Sequence, residues 1–504
     1  MKKALSILLA LVMILSLATV VLADETTYSI TVTPTDSANH TYEAYQIFAG
    51  DLDGSTLSNI VWGANISDEG KTALQTKYSA TDAAGVAAAL NSTNAKEFAA
   101  EVAKYLTGDP AGTANTATEG KYVISGLSAG YYLVKDKDGS LEGTNASYTS
   151  YILEVVKNVN VTAKAAMPTV DKQVKDEVGD AESGATDGWA DTADHAINES
   201  FQFKLTATLP ADANFDAYTT YQVKFTDTMS EGITFESIAS VTVDGVAIND
   251  YTCTATAGQA GGSWTLTIAD IKAIDGVNLT DGAAIVVTYN AHLNEKADVT
   301  ASTETTTANQ NKVYLEYSNN PNGTGTGKTN EDAVWVFTYE ILNTKVDGES
   351  KAPLKDAGFK LYTDNNCTVE VGLIFDETLN AYRPVKGEEV AEEMKSDADG
   401  KFNIVGLDAG TYYLKETTTP AGYNTCDVVT VNIVAAHDEA DDGASASVVL
   451  TNSQNVVNTI ENNKGSVLPS TGGMGTTMFY IFGSMMVVGA AVVLVTKKRM
   501  TAAE

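Results

Sequence analysis

The chain has 504 residues, 44% of them hydrophobic and 19% charged, which excludes a mainly disordered polypeptide and leaves room for several buried cores. Its 65 acidic residues outnumber its 32 basic ones by 33, a surface field that repels phosphate backbones and excludes nucleic acid as a partner. Cys253, Cys367 and Cys426 stand far apart without CxxC spacing, and the four histidines show no HExxH pattern, so no disulfide scaffold, metal centre or cofactor is expected.

In chain order, Lys2 and Lys3 precede an apolar run from Ala4 to Leu22, and Val21-Leu22-Ala23 offers the small residues a signal peptidase accepts. Residues 1–23 therefore read as a secretory signal peptide. From Tyr28 onward YSITVT alternates apolar and polar residues, as do FQFKLTA at Phe201, SWTLTI at Ser263, AIVVTY at Ala284 and VVTVNIV at Val428. Period two predicts an all-β chain of tandem immunoglobulin-like β-sandwich domains over residues 24–166, 167–342 and 343–467. The first domain adds short decorating helices. Asp82 caps one from Ala83; Asn94 and Glu97 open another, with Phe98, Val102 and Leu106 on one face, and both are expected to cover a sheet edge. A segment of the first domain, from Gly126-Leu127 to Asp136, aligns without gaps on the segment from Gly406-Leu407 to Glu416, so the outer two domains read as variants of one sandwich. Asp136 reads as a turn-proximal carboxylate and Asp397-Ala-Asp399-Gly400 as a turn. His40, His195, His292 and His437 read as scattered surface residues.

The C-terminus carries Leu468-Pro469-Ser470-Thr471-Gly472, then an apolar span from 476 to 496 long enough to cross a bilayer, then Lys497-Lys498-Arg499. This ordered triple resembles the cell-wall sorting signal of Gram-positive surface proteins, LPxTG followed by a hydrophobic segment and a basic tail, here residues 468–504. The resemblance implies that a sortase cysteine attacks the carbonyl of Thr471, releases the chain from Gly472 onward, and holds the protein as a thioester until an amine resolves it.

Around Glu416 the chain reads YYLKETTTPAGY, which resembles the E-box of sortase-assembled pilins and of collagen-adhesin B-type domains, with Pro420 and Tyr423 in register. In that family a buried Glu promotes a self-formed amide between a first-strand Lys and a last-strand Asn. The resemblance places these at Lys345, in LNTKVDG, and at Asn462, in TIENNKG, with Asn463 as the alternative acceptor. Burial favours the neutral, nucleophilic amine and the protonated carboxylic acid, so a Glu there can polarise the Asn carbonyl and shuttle protons as ammonia leaves. The middle domain resembles the second domain of pilin backbone subunits, where an Asp replaces the Glu. Its set is Lys172, Asp227 as promoter, and Asn311 with Asn309 as rival, surrounded by Phe225, Phe235, Tyr314 and Leu315. The first domain has no lysine on its opening strand and is expected to lack such a bond.

The connector VNVTAKAAMPTVDK holds Lys164 at the position of the pilin-motif lysine, with Thr-Ala in place of Tyr-Pro; Lys157 and Lys175 are the alternatives. The resemblance thus implies a major shaft subunit of a secreted, wall-attached pilus and not an enzyme. Its partners are pilus-type and housekeeping sortases, identical subunits joined head to tail, minor pilins and peptidoglycan. The alternative is a singly anchored adhesin or a pilus-tip subunit.

Overall fold

A computed structural model describes residues 26–163, 166–176, 187–210, 215, 218–280, 282–299, 309–321, 323–439, 446–450, 456–465 and 474–500. Lys164, the Leu468–Gly472 motif and the N-terminal leader lie outside these residues. Strands dominate, as the alternation predicts, and three separate regions of apolar core follow one another along the chain.

In the first region the opening strand Tyr28–Thr33 lies between Tyr122–Leu127 and Val159–Thr162, and pairs with the latter in parallel. A second sheet runs Thr56–Trp62, Tyr42–Asp53, Gly130–Asp136, Ser150–Val155. Strand Gly130–Asp136 is buried on both faces: Tyr132 and Val134 enter the sandwich core, while Leu133 joins Phe48, Leu74, Val86, Phe98 and Val102 in a second core beneath the helices. The helices therefore cover a sheet face and not merely an edge. Asp82 caps Ala83–Ala89 by accepting from Gly85 N, as the sequence predicts. Asn94 makes no cap bond to Ala95–Ala103; its Oδ1 accepts from Asn91 N at 2.8 Å, because the preceding turn claims it first. Leu106 falls beyond that helix and is only partly buried against the same core. A third helix, Asp68–Lys77, is capped by Ser67 and has Asp68 and Glu69 in its first turn.

The middle region is organised by one long strand, Val223–Val243, whose first part pairs with Gln310–Ser318 and Gln259–Ile268 and whose second part pairs with Ala284–Leu293. Register shifts along it let it serve both layers. Thr169–Lys175 joins through Ser200–Thr208.

In the last region Tyr339–Asp347 and Val457–Asn462, first and last strands, pair in parallel, with Lys345 opposite Ile460. Gly358–Tyr362, Gly410–Thr418 and Val429–Ile433 form the facing sheet. The aligned segments occupy matching hairpins: Tyr132 OH donates to Ser128 O at 2.9 Å and Tyr412 OH to Asp408 O at 3.0 Å, while Gly126 and Gly406 take φ values of 78° and 76°. Gly406 is also a contact point with the middle domain, since an added Cβ would lie 2.4 Å from Ile197. The helix Met474–Met500 holds an apolar span from Met478, whose most apolar 18-residue window has mean hydropathy 2.3, and ends on Lys497–Arg499.

Candidate functional site

In the last domain the strand alternation turns Lys345 inward, and the parallel partner strand brings Asn462 alongside. Lys345 Nζ donates to Asn462 Oδ1 at 2.5 Å, Asn462 Nδ2 donates to Glu416 Oε1 at 2.7 Å, and Nζ lies 3.5 Å from that same Glu416 oxygen. All three side chains are buried. The Phe359 ring stands 5.4 Å from Nζ. Glu416 is oriented by Cys426 N, which donates to Oε2 at 2.9 Å, and by Thr419 Oγ1 at 3.3 Å. Asn463 points elsewhere, towards Gly348.

The rest of the E-box braces this cluster. Tyr423 OH donates to Asp347 Oδ2 at 2.6 Å, two residues past Lys345 on the same strand, and Lys464 lies 3.1 Å from that oxygen. The Tyr423 hydroxyl, the Ser350 amide and Lys464 together hold the Asp347 carboxyl well below the usual carboxylate range. Asp397–Gly400 is a turn, as the sequence predicts: Asp397 Oδ1 accepts from Asp399 N and Lys401 N. At Gly400, φ is 76° and a Cβ would meet Lys345 O at 2.3 Å, so only glycine lets this turn receive the Lys345 amide bond at 2.7 Å.

The middle domain gathers Lys172, Asp227 and Asn311 in one core, all completely buried. Lys172 Nζ donates to Asp227 Oδ2 and, at 3.3 Å, contacts Tyr289 OH. That hydroxyl donates to Asp227 Oδ2 at 3.1 Å and accepts from Asn311 Nδ2 at 2.6 Å, so Tyr289 sits between amine and amide. Asn311 Oδ1 has no hydrogen-bond partner among the described residues. Burial pulls the Lys172 amine below the ordinary lysine range, against the charge and hydrogen bond of Asp227. Burial likewise pushes the Asp227 carboxyl up, against the pull of Lys172. Asn309 is engaged elsewhere, exchanging hydrogen bonds with the Asp298 backbone.

The surround differs in one residue from expectation. Phe225, Phe235 and Leu315 are buried, but Tyr314 faces outward under Lys328, whose Nζ lies 3.6 Å from the ring centroid. Period two forces this: Asn311, Val313 and Leu315 point in, so Lys312 and Tyr314 point out. Phe203, Tyr289 and Trp264 line the cluster instead. The sequence reading missed Tyr289, although the inward phase of AIVVTYNAHL places it with Ile285 and Val287.

The first domain carries a different arrangement at the aligned carboxylate. Asp136 ends strand Gly130–Asp136 just before a turn, as the sequence predicts, but it is completely buried: Oδ1 is 2.8 Å from His40 Nδ1, and Oδ2 accepts from Thr149 N at 2.8 Å. His40 Nε2 is 2.9 Å from Asp36 Oδ1, and its ring stacks on Tyr42. His40 is thus no surface residue, nor are His195 and His437, which are also buried; His292 is half-buried against Glu236. Each histidine lies against a polar group that makes its burial tolerable.

Burial disfavours the His40 imidazolium, but the hydrogen bonds and charges of Asp136 and Asp36 outweigh it and raise its pKa to about 9. Burial raises the Asp136 carboxyl, a cost the imidazolium offsets. A raised folded-state value stabilises fully below about pH 6.5 and is lost as pH rises towards 9, a change of about 3 kcal/mol. Differential scanning calorimetry of the secreted chain is expected to show the first-domain transition falling across that window, and His40→Gln is expected to flatten the dependence.

Residues 340–454 match SpaA, the prealbumin-like fold domain, and residues 460–500 match the LPXTG cell wall anchor motif. The trypsin-resistant surface T6 protein of Streptococcus pyogenes serotype M6 is 24% identical over 446 residues, covering 76% of this chain and 77% of its own. The solved T6 backbone pilin of that serotype, described as a modular three-domain structure, aligns at a TM-score of 0.52 with 17% identity, covering 88% of this chain and 100% of its own. The major pilin SpaD from Corynebacterium diphtheriae aligns at 0.47 with 18% identity, covering 88% and 99%. Prealbumin-like sandwiches ahead of an anchor motif and an apolar helix define a wall-anchored surface protein, transiently held in the membrane. Within that class, this chain has the architecture of a Gram-positive pilin.

Proposed function

We propose that this protein is the shaft subunit of a covalent pilus, stiffened inside by Lys–Asn isopeptide bonds and joined outside by sortase. The observation that carries the proposal is the buried Lys345–Asn462–Glu416 cluster, which ties the first strand of the last domain to its final one. Lys345 Nζ attacks Cγ of Asn462, the Cγ–Nδ2 bond breaks, and ammonia departs. Glu416 Oε1 lies near both nitrogens, so it takes the proton from Nζ and delivers it to Nδ2. This favours proton shuttling over polarisation of the carbonyl, because the carboxyl faces the leaving nitrogen. In the middle domain Asp227 plays the same part for Lys172 and Asn311, with the Tyr289 hydroxyl relaying the proton between amine and amide.

Outside the domains, sortase forms a thioester at Thr471 and an amine of the next subunit resolves it. We assign that amine to Lys164, in the connector between the first and second sandwiches, with domain limits at about 166 and 342 as read from the sequence. Each such amide leaves one free Thr471 end and one free lysine, a heterologous contact that does not close and so grows a fibre.

The test is an immunoblot of wall extract boiled in detergent. A ladder of high-molecular-weight species is expected; one band at the monomer position rejects the shaft reading in favour of a singly anchored adhesin.

A further inference from the structure

The junction of the middle and last domains gathers a third set of side chains, which the amide chemistry does not use. Asp176 follows the strand that carries Lys172, Asp194 ends Thr192–Asp194, and His437 lies on Ala435–Glu439 of the next domain; all three are buried. His437 Nε2 stands 3.9 Å from Asp176 Oδ2 and 3.9 Å from Asp194 Oδ2, and the ligand atoms of the three residues lie within 4.8 Å of one another. Such separations are too long for hydrogen bonds. A cation placed centrally among atoms so spaced lies about 2.5 Å or less from each, which reaches the range of zinc–nitrogen and zinc–oxygen bonds.

Outer contacts orient the ligands. His437 Nδ1 is 2.7 Å from Thr192 Oγ1, which turns Nε2 towards the carboxylates, and Tyr339 OH donates to Asp194 Oδ2 at 2.8 Å. A surface cleft lined in part by Asp176 and His195 borders the cluster on its Asp176 side.

We propose that Asp176, Asp194 and His437 form an interdomain site for a divalent cation of the zinc type. One imidazole nitrogen and two carboxylate oxygens, with a fourth position left for water, suit zinc; calcium calls for six or more oxygens. Because the ligands come from both domains, the ion rivets the junction and fixes the angle between them. The inference rests on this geometry alone and stands whether or not the chain forms a shaft.

The test uses the untagged secreted chain, stripped with chelator and dialysed against micromolar zinc chloride, with bound metal measured by inductively coupled plasma mass spectrometry. One zinc per chain is expected, with affinity lowered at least about tenfold in both His437→Ala and the near-isosteric Asp176→Asn. No stoichiometric zinc, unchanged affinity in a folded variant, or calcium binding as tight as zinc overturns the proposal.

Discussion

The secreted chain carrying Glu416→Ala is expected to weigh about 17 Da less than its own sequence mass, whereas the wild type falls about 34 Da short, since each amide releases one ammonia. The missing increment belongs to the last domain, because Asp227 still serves the middle one. Stability is expected to fall as well. The Lys345–Asn462 bond closes a loop of 117 residues, and by analogy with a disulfide of similar span it restricts the unfolded chain by about 4 to 5 kcal/mol. For a domain of this size that is a loss of roughly 15 to 20 °C in the last-domain transition. Removing Glu416 also leaves Lys345 buried without its carboxylate, which destabilises by a separate route. Lys345→Met separates the two: it removes the nucleophile and its buried amine together, so it shows the same shortfall of about 17 Da from its own sequence mass and the stability loss due to the missing tie. Intact-mass spectrometry and calorimetry decide the matter. A wild-type chain at its full sequence mass removes the intramolecular chemistry altogether.

The last-domain cluster was legible in the sequence because its promoter sits in a contiguous run, YYLKETTTPAGY, and its partners lie on the first and last strands, where chain order locates them. In the middle domain Asn311 rests on the resemblance, and Tyr314 is expected in the same core although it lies three residues further on and so faces the other side of the strand. What stayed hidden was assembled from distant strands. Tyr289 is one tyrosine among 23, and only the crossing of Val223–Val243 between layers brings its hydroxyl to Asp227. His40 and Asp136 are separated by 96 residues, and His437 meets Thr192 across 245, so no local spacing announces either pair. The helix Asp68–Lys77 was within reach, since Ser67-Asp68-Glu69 is a usable start signal.

Lys164→Ala is expected to abolish the ladder while leaving a folded monomer with both internal amides, and Lys157→Ala and Lys175→Ala are expected to leave it intact. Lys175 is the weaker rival because its amine is already bonded to Asp187 O and lies 5.2 Å from the Trp189 ring. A ladder that survives Lys164→Ala moves the assignment to Lys157, an exposed residue on the other side of strand Val159–Thr162. The assignment has a mechanical consequence. If tension enters at Lys164 and leaves at Thr471, it passes through the middle and last domains and bypasses the first. The two domains on that path hold the Lys–Asn sets, in which each amide carries force past the residues between its lysine and its asparagine. The first domain, off the path, has at the aligned carboxylate the ionic His40–Asp136 contact and a Thr149 backbone hydrogen bond, with no amine on its opening strand. Single-molecule pulling between Lys164 and Thr471 is therefore expected to show, in the wild type, no extension from the residues enclosed between Lys172 and Asn311 or between Lys345 and Asn462. A Glu416→Ala chain pulled the same way is expected to extend by the length of the loop that Lys345 and Asn462 no longer close.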